Sequence, residues 1–387
     1  MNDTSTVRRP KVCLVAATPL TIHFFFRKFV VALAKWADVT LIYNEGVDTD
    51  VQPLGLPAGI INLPIARQIA PIRDLFCLIK LLGIFRLYQF DLVITLVPKA
   101  GLLASLAARA NRVSERLHIF QGEVWVSKSG ILRLVLKTCD RITAACSTTL
   151  LAVSESEKAF LLSEKVVGSK DIVVLGQGSI SGVDTALFRP DKEARRRWRK
   201  GFGIKEGERL ILFLGRINRD KGVGELIEAS RRLLRDSPNL KIAFVGPDEE
   251  KLARGMASAF GEQMGIRVIC QGLTKSPEKW LNAADVLVLP SHREGFGVVA
   301  LEAAACEVPV VATAIHGLTD AVVDGVTGML IPPRNADAIY GALSTLLAQP
   351  ELRASFGKKG RIRALKDFEQ EVVVMRYVDF VSGLLGR

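Results

Sequence analysis

Residues 209–222 read Arg209-Leu210-Ile211-Leu212-Phe213-Leu214-Gly215-Arg216-Ile217-Asn218-Arg219-Asp220-Lys221-Gly222, a short aliphatic run that ends at a glycine and passes through a polar turn. Helical-period sequence follows, so this is the strand, turn and helix of a parallel α/β unit. The stretch Lys11-Val12-Cys13-Leu14-Val15-Ala16-Ala17-Thr18 opens the same pattern near the start. From there, aliphatic runs at 39–44 and 91–97 alternate with helical-period segments at 23–36, 71–88 and 100–111. After residue 209 the rhythm restarts. Runs at 241–246, 267–272, 285–290 and 308–313 separate helical segments at 222–235, 249–260, 276–283, 297–306 and 336–348. The expected fold is therefore α/β, with two Rossmann-like doubly wound domains in tandem, 1–187 and 188–367, and a last helix at about 368–387 that packs back on the first. Ligands of such sheets sit at the carboxyl ends of the strands, which for two facing domains means the cleft between them.

Composition narrows the function. With 387 residues, 49% hydrophobic and 24% charged, the chain supports large cores. The N-terminal apolar stretch reads as a buried strand rather than a secretory signal, and the segment from Ala70 to Phe90 is broken by Arg73, Asp74, Lys80, Arg86 and Gln89, so a cytoplasmic protein without a spanning helix is expected. The cysteines (Cys13, Cys77, Cys139, Cys146, Cys270, Cys306) lack CxxC pairing and the histidines lack metal-ligand spacing. They read as buried thiols in a reducing compartment, with no bound metal. A net charge of +12 favours an anionic partner, whether a nucleotide diphosphate, a membrane surface or nucleic acid. Aromatic residues are few and not interleaved with the basic ones, which argues against nucleic acid.

The strongest local signal is Pro290-Ser291-His292-Arg293-Glu294-Gly295-Phe296-Gly297-Val298-Val299-Ala300-Leu301-Glu302. A glycine-flanked loop here leads from a strand directly into a helix, so free N–H groups and the positive end of the helix dipole form a seat for an anion. Glu294 and Glu302 lie about two helical turns apart and suit a hydroxyl-rich ligand. Arg216 and Lys221 project from a turn at the same sheet edge, where two cations neutralise a departing diphosphate.

Gly215-Arg216 with Lys221, Glu294 with Glu302, and Gly182-Val183-Asp184 ending in Phe188-Arg189-Pro190 resemble the signature of the retaining glycosyltransferase family four, of GT-B fold. In the N-terminal half, Pro98-Lys99-Ala100-Gly101, the stretch from Leu117 to Trp125, and Gly178-Ser179-Ile180-Ser181 resemble bacterial capsule and exopolysaccharide transferases, which build lipid-linked oligosaccharides. The resemblance implies that Arg216 and Lys221 bind the donor diphosphate beside Gly215. Glu302 would bind the ribose, Glu294 with the amides of Gly295, Phe296, Gly297 and Val298 the sugar, and Gln271, Gly272 and Leu273 the nucleobase. It implies a UDP-sugar as co-substrate, with a GDP-sugar the alternative, and a lipid-linked saccharide acceptor; the acceptor is expected on the N-terminal domain, no metal or other cofactor is expected, and the basic net charge leaves a peripheral membrane contact open. A nucleotide-sugar epimerase, a sugar phosphorylase or an inactive nucleotide-sugar binder on the same fold remain alternatives.

Three features depart from the family. Ala16-Ala17-Thr18-Pro19-Leu20 has no glycine where many relatives have a glycine-rich loop. Gln121 stands where many have a histidine, and Glu307 where a glycine is common. His118, inside an apolar strand, reads as a core residue. Asp48-Thr49-Asp50 matches a short metal-binding motif of another transferase fold but reads as a solvated loop. The basic run Arg195-Arg196-Arg197-Trp198-Arg199-Lys200 reads as a solvated helix face. Residues 71–88 place apolar side chains near helical period. They are expected to pack on the first sheet, the alternative being an interfacial helix.

Overall fold

The computed structural model describes residues 8–47, 55–66, 68–168 and 171–387, so Asp48-Thr49-Asp50 lies outside the described residues. The chain forms two compact units, Met1–Ser181 with Val373–Arg387, and Gly182–Val372.

The first unit is built on β1 (Lys11–Val15), β2 (Asp38–Tyr43), β3 (Gly59–Asn62), β4 (Leu92–Leu96), β5 (Glu115–Phe120), β6 (Thr149–Ala152) and β7 (Ile172–Val174). They pair in parallel in the order β3-β2-β1-β4-β5-β6-β7. The second unit has β8 (Arg209–Leu214), β9 (Leu240–Val245), β10 (Val268–Gln271), β11 (Val286–Leu289), β12 (Val310–Thr313) and β13 (Gly328–Ile331), parallel in the order β10-β9-β8-β11-β12-β13. Both are doubly wound sheets. Their inner strands are buried along their length, as continuous aliphatic runs covered by helices on both faces require.

The units divide after Ser181 rather than after Leu187. Val183 donates its N–H to the Phe368 carbonyl at 2.8 Å and accepts from Gln370 N–H at 3.0 Å, which ties 182–187 to the second unit. The helix Gln370–Leu384 buries Val374, Tyr377 and Val381, with Tyr377 packed edge-on to Phe29 and its hydroxyl donating to the Ser179 carbonyl at 3.1 Å.

The basic run corrects the sequence reading. Helix Lys192–Gly201 is capped by the Asp191 carboxylate, and Arg195 and Arg199, one turn apart, face inward. Asp285 at the base of β11 receives Arg195 at 2.7 Å, Arg199 at 3.2 Å and the Leu210 N–H at 2.7 Å. Arg196, Arg197 and Lys200 remain exposed. The spacing of four that pairs Arg195 with Arg199 was the available signal; their acidic partner, distant in sequence, was not. Cys270 is exposed, unlike the buried thiol expected of it, because it sits near the end of an edge strand.

Candidate active site

In the second unit, β8 and β11 are neighbours, but the helix after β8 (Val223–Asp236) leads to β9 on one side and the helix after β11 (Val298–Ala305) to β12 on the other. Their loops therefore part at the carboxyl ends, the position where doubly wound sheets take ligands. The two loops are held together locally. His292 N–H donates to the Asp220 carbonyl at 2.8 Å, and Gly222 has φ +67°. A Cβ there would lie 1.9 Å from the Pro290 carbonyl oxygen, so only glycine lets the turn close on the loop.

This closure brings Lys221 and Glu294 together. The Lys221 ammonium lies 2.5 Å from Glu294 Oε1, which also accepts the Ser291 hydroxyl at 2.9 Å. Ser291 is in turn fixed by the Thr313 hydroxyl donating to its carbonyl at 2.5 Å. Burial pushes the Glu294 carboxyl up, but Lys221, the Ser291 hydroxyl and Arg293 outweigh it and hold the group below its ordinary range. Glu294 is thus an ionised acceptor with Oε2 still available to a ligand.

Arg216 is placed otherwise. It follows Gly215 at the end of β8, is 46% exposed along its side chain, and pairs with Glu249 at 3.0 Å. Glu249 also accepts from the Asn218 side-chain amide at 2.9 Å, while Asn218 Oδ1 caps the Lys221 N–H at 3.1 Å. Sequence reading found both cations but not that each has a carboxylate partner. Glu249 follows β9 in a turn with no motif around it, so nothing in the chain announced it.

Gly295, Phe296, Gly297 and Val298 have main-chain N–H groups with no protein acceptor among the described residues. The Phe296 ring is buried against Phe368, 5.5 Å between centroids, so this residue offers its amide and not its side chain. Glu302 is partly buried in the helix that follows, and its carboxylate has no hydrogen-bond or ion-pair partner among the described residues. Burial, and then the negative charge of Glu278, push its carboxyl up to about 7. Gln271, Gly272 and Leu273 are exposed at the end of β10. One strand separates them from β8, about 10 Å at the usual spacing, so they line the same edge without meeting the Lys221–Glu294 pair.

A family model described as Glycosyl transferases group 1 matches residues 194–363. The Staphylococcus aureus capsular polysaccharide biosynthesis glycosyltransferase CapM is 30% identical over 311 residues, 80% of this chain and 81% of CapM. The chain belongs to the group 1 glycosyltransferases. This glycosyltransferase is also 36% identical over 187 residues to a D-inositol 3-phosphate glycosyltransferase of Kribbella flavida, 46% of this chain and 44% of that one. Among solved structures it resembles the sucrose-phosphate synthase of Thermosynechococcus elongatus, with a TM-score of 0.81 at 23% identity over 98% of this chain and 100% of the other. It also resembles Anabaena HepE in complex with UDP, with a TM-score of 0.78 at 16% identity over 97% and 100%. At these identities the likeness shows the fold, GT-B.

In the first unit of this glycosyltransferase, His118 is a core residue. It is buried, its Nδ1 lies 2.7 Å from the Thr95 hydroxyl, and burial lowers its pKa to about 3. The phrase Gly122-Glu123-Val124-Trp125 organises the loop after β5. Glu157 accepts the Gly122 and Val153 N–H groups at 2.5 and 2.8 Å, and Trp125 Nε1 donates to Asp140 at 2.8 Å. Glu307 has φ +59°, which explains why glycine is common at that position in the family.

Glu302→Gln is expected to raise the thermal stability of this glycosyltransferase at pH 8 and to raise it much less at pH 5. A carboxyl with a folded pKa of about 7 binds its proton more tightly than in the unfolded chain, where about 4.3 is usual. Wild-type stability is therefore lost as pH rises between those values, and the loss is full above the upper one. Glutamine mimics the neutral form. Melting curves at the two pH values test this, and equal shifts at both would rule out a titrating Glu302.

Proposed function

We propose that this glycosyltransferase moves a sugar, with retention of anomeric configuration, from a UDP-sugar to a lipid-linked saccharide at the cytoplasmic face of the membrane, in the assembly of a bacterial surface polysaccharide. The observation that carries the reading is the 2.5 Å Lys221–Glu294 contact beside four main-chain N–H groups without protein acceptors among the described residues. Together they form a cationic and hydrogen-bonding seat next to a fixed carboxylate. A diphosphate fits the first part and sugar hydroxyls the second. The polysaccharide role draws on CapM, and UDP on the HepE complex.

In this reading the second unit binds the donor. Lys221, Arg216 and the N–H groups of Gly295, Phe296, Gly297 and Val298 take up negative charge as the bond between the sugar and the diphosphate breaks. Arg216, exposed and held among the described residues by Glu249, has room to swing onto the phosphates. Glu294 Oε2 accepts from sugar hydroxyls and Glu302 from the ribose. Gln271, Gly272 and Leu273 border the base. The acceptor oxygen attacks from the face that the diphosphate leaves, and its proton passes to the departing phosphate oxygen, so no carboxylate nucleophile is required. These groups balance the leaving charge without a metal, and the first unit takes the acceptor.

The test is nucleoside diphosphate release across a panel of nucleotide sugars, with and without a membrane lipid extract, using Glu294→Ala as the control. Release that requires one donor and the lipid fraction, and is lost in the control, is expected. Conversion of the donor without any acceptor would make the protein an epimerase, and donor binding without turnover would make it an inactive binder.

A further inference from the structure

Three consecutive residues of the loop 290–297 are tied to the segment that carries Lys221. Glu294 takes the Lys221 ammonium, and Arg293 faces the Asp220 carboxylate at 3.6 Å. His292 makes two bonds. Its N–H donates to the Asp220 carbonyl at 2.8 Å, and its imidazole Nε2 donates to Glu225 Oε1 at 2.9 Å. Of these ties, the last is the one that reaches past Gly222 into the helix Val223–Asp236. That helix buries Leu226, Ala229, Ser230, Leu233 and Leu234, so close packing fixes it within the second unit. The turn before it has no such anchor of its own, since Arg219–Lys221 form a single 3-10 turn without a buried residue.

Glu225 is free to make this bond because of where it stands in the helix. A glutamate at the third helical position commonly reaches back to the N–H of the capping residue. Here that residue is Gly222, whose N–H already donates to the Arg219 carbonyl at 2.9 Å. The Glu225 carboxylate turns across to His292 instead, from the first turn, where the helix dipole favours a negative charge. His292 is 15% and Glu225 24% exposed along the side chain, so solvent competes little for the bond. The Glu294 carboxylate and the N–H groups of Gly295, Phe296, Gly297 and Val298 follow His292 directly in the chain. A displaced imidazole would carry them with it.

We propose that Glu225 and His292 are positioning residues for sugar transfer, a brace that sets the loop against the helix before a donor arrives. The inference rests on the donor seat proposed above. Turnover is measured with the nucleotide sugar of the panel from which the wild type releases nucleoside diphosphate fastest, and binding with UDP. Glu225→Ala and His292→Ala should each lower kcat about ten-fold, less than the roughly 10²-fold that a full ångström of misplacement costs, because the Asp220 and Lys221 ties remain. Donor KM and UDP affinity should change by less than about three-fold, since the loss falls on the transition state. The double variant Glu225→Ala/His292→Ala should be no slower than either single variant, as all three lose one and the same bond. Glu225→Gln keeps an acceptor at the same reach and should bring kcat back to within about three-fold of wild type. Hydrogen exchange of the unliganded full chain should be faster at 291–298 in Glu225→Ala and unchanged in the first unit. Rates are taken well below each melting transition, so that lost stability alone leaves kcat unmoved. Wild-type kcat in both single variants, or additive losses in the double variant, would overturn the proposal. Glu225→Gln as slow as Glu225→Ala would do the same, because it assigns the effect to charge rather than position. If the wild type turns over no nucleotide sugar, the donor reading fails, and the exchange result decides by itself whether the pair holds the loop. Unchanged exchange beside normal wild-type turnover overturns the brace and leaves the donor reading standing.

Discussion

Lys221→Ala is expected to lower kcat for sugar transfer by about 10²–10³-fold, the usual cost of removing one preorganised group that stabilises developing charge. The ammonium is fixed before any donor arrives, with its N–H capped by Asn218, its side chain on Glu294, and Gly222 closing the turn on Pro290. A charge held in this way needs little reorganisation when the diphosphate leaves. The substitution has a second consequence, because Glu294 is left mostly buried without its cation, which costs stability and raises its pKa. The double variant Lys221→Met/Glu294→Gln separates the two effects, since it removes both charges and keeps most of the volume. The double variant should regain thermal stability, whereas kcat, which Glu294 also supports, is read from the single variant at a temperature where it is folded. A single variant within about three-fold of wild-type kcat would remove Lys221 from the chemistry.

The largest purely structural effect is expected at Asp285→Ala. This carboxylate collects Arg195, Arg199 and the Leu210 N–H, and its side chain is only 7% exposed. Truncation leaves two guanidinium groups facing each other without their anion and an unsatisfied strand amide, a loss of about 3–5 kcal/mol. For a unit of this size that corresponds to a melting transition about 6–20 °C lower. Asp285→Asn keeps an acceptor for Leu210 and should fall between alanine and wild type. Asp285 precedes β11 and Glu294 follows it, so the residues stand at opposite ends of one strand. Nucleotide affinity of the folded variant at low temperature should therefore be unchanged. A shift of less than 1 °C would mean that the arginines find other partners and that this hub is not what anchors the basic helix.

Much of this fold was legible because a buried parallel strand must be a continuous aliphatic run and a covering helix must repeat near 3.6 residues. The tandem sheets follow from that. So does the position of Arg216, Lys221 and Glu294 at one carboxyl edge, since topology alone sends every βα turn there. The helix Pro350–Asp367 carried no such pattern and was not anticipated. Its buried face carries Arg353, Phe356, Gly357, Gly360 and Ala364, and the last three are small residues that let it approach closely. A Cβ at Gly357 would lie 2.1 Å from the Glu307 carbonyl oxygen, and one at Gly360 would lie 3.2 Å from the Ala304 Cβ. A helix that packs through glycines has no apolar stripe to read, because the contact is made by its backbone.

The same distinction holds for charge. The sequence by itself determined the residue types and their spacing, hence two doubly wound sheets and a glycine loop leading into a helix at a carboxyl edge. Only the tertiary structure decided which charges are spent on one another. It set Arg216 on Glu249, Lys221 on Glu294, and Arg195 with Arg199 on Asp285, and among the described residues it left Glu302 without a cation. Spacing along a chain fixes which face of an element a residue occupies. An ion pair depends on distances of a few ångströms between elements that lie 33, 73 or 90 residues apart, and no local pattern encodes those.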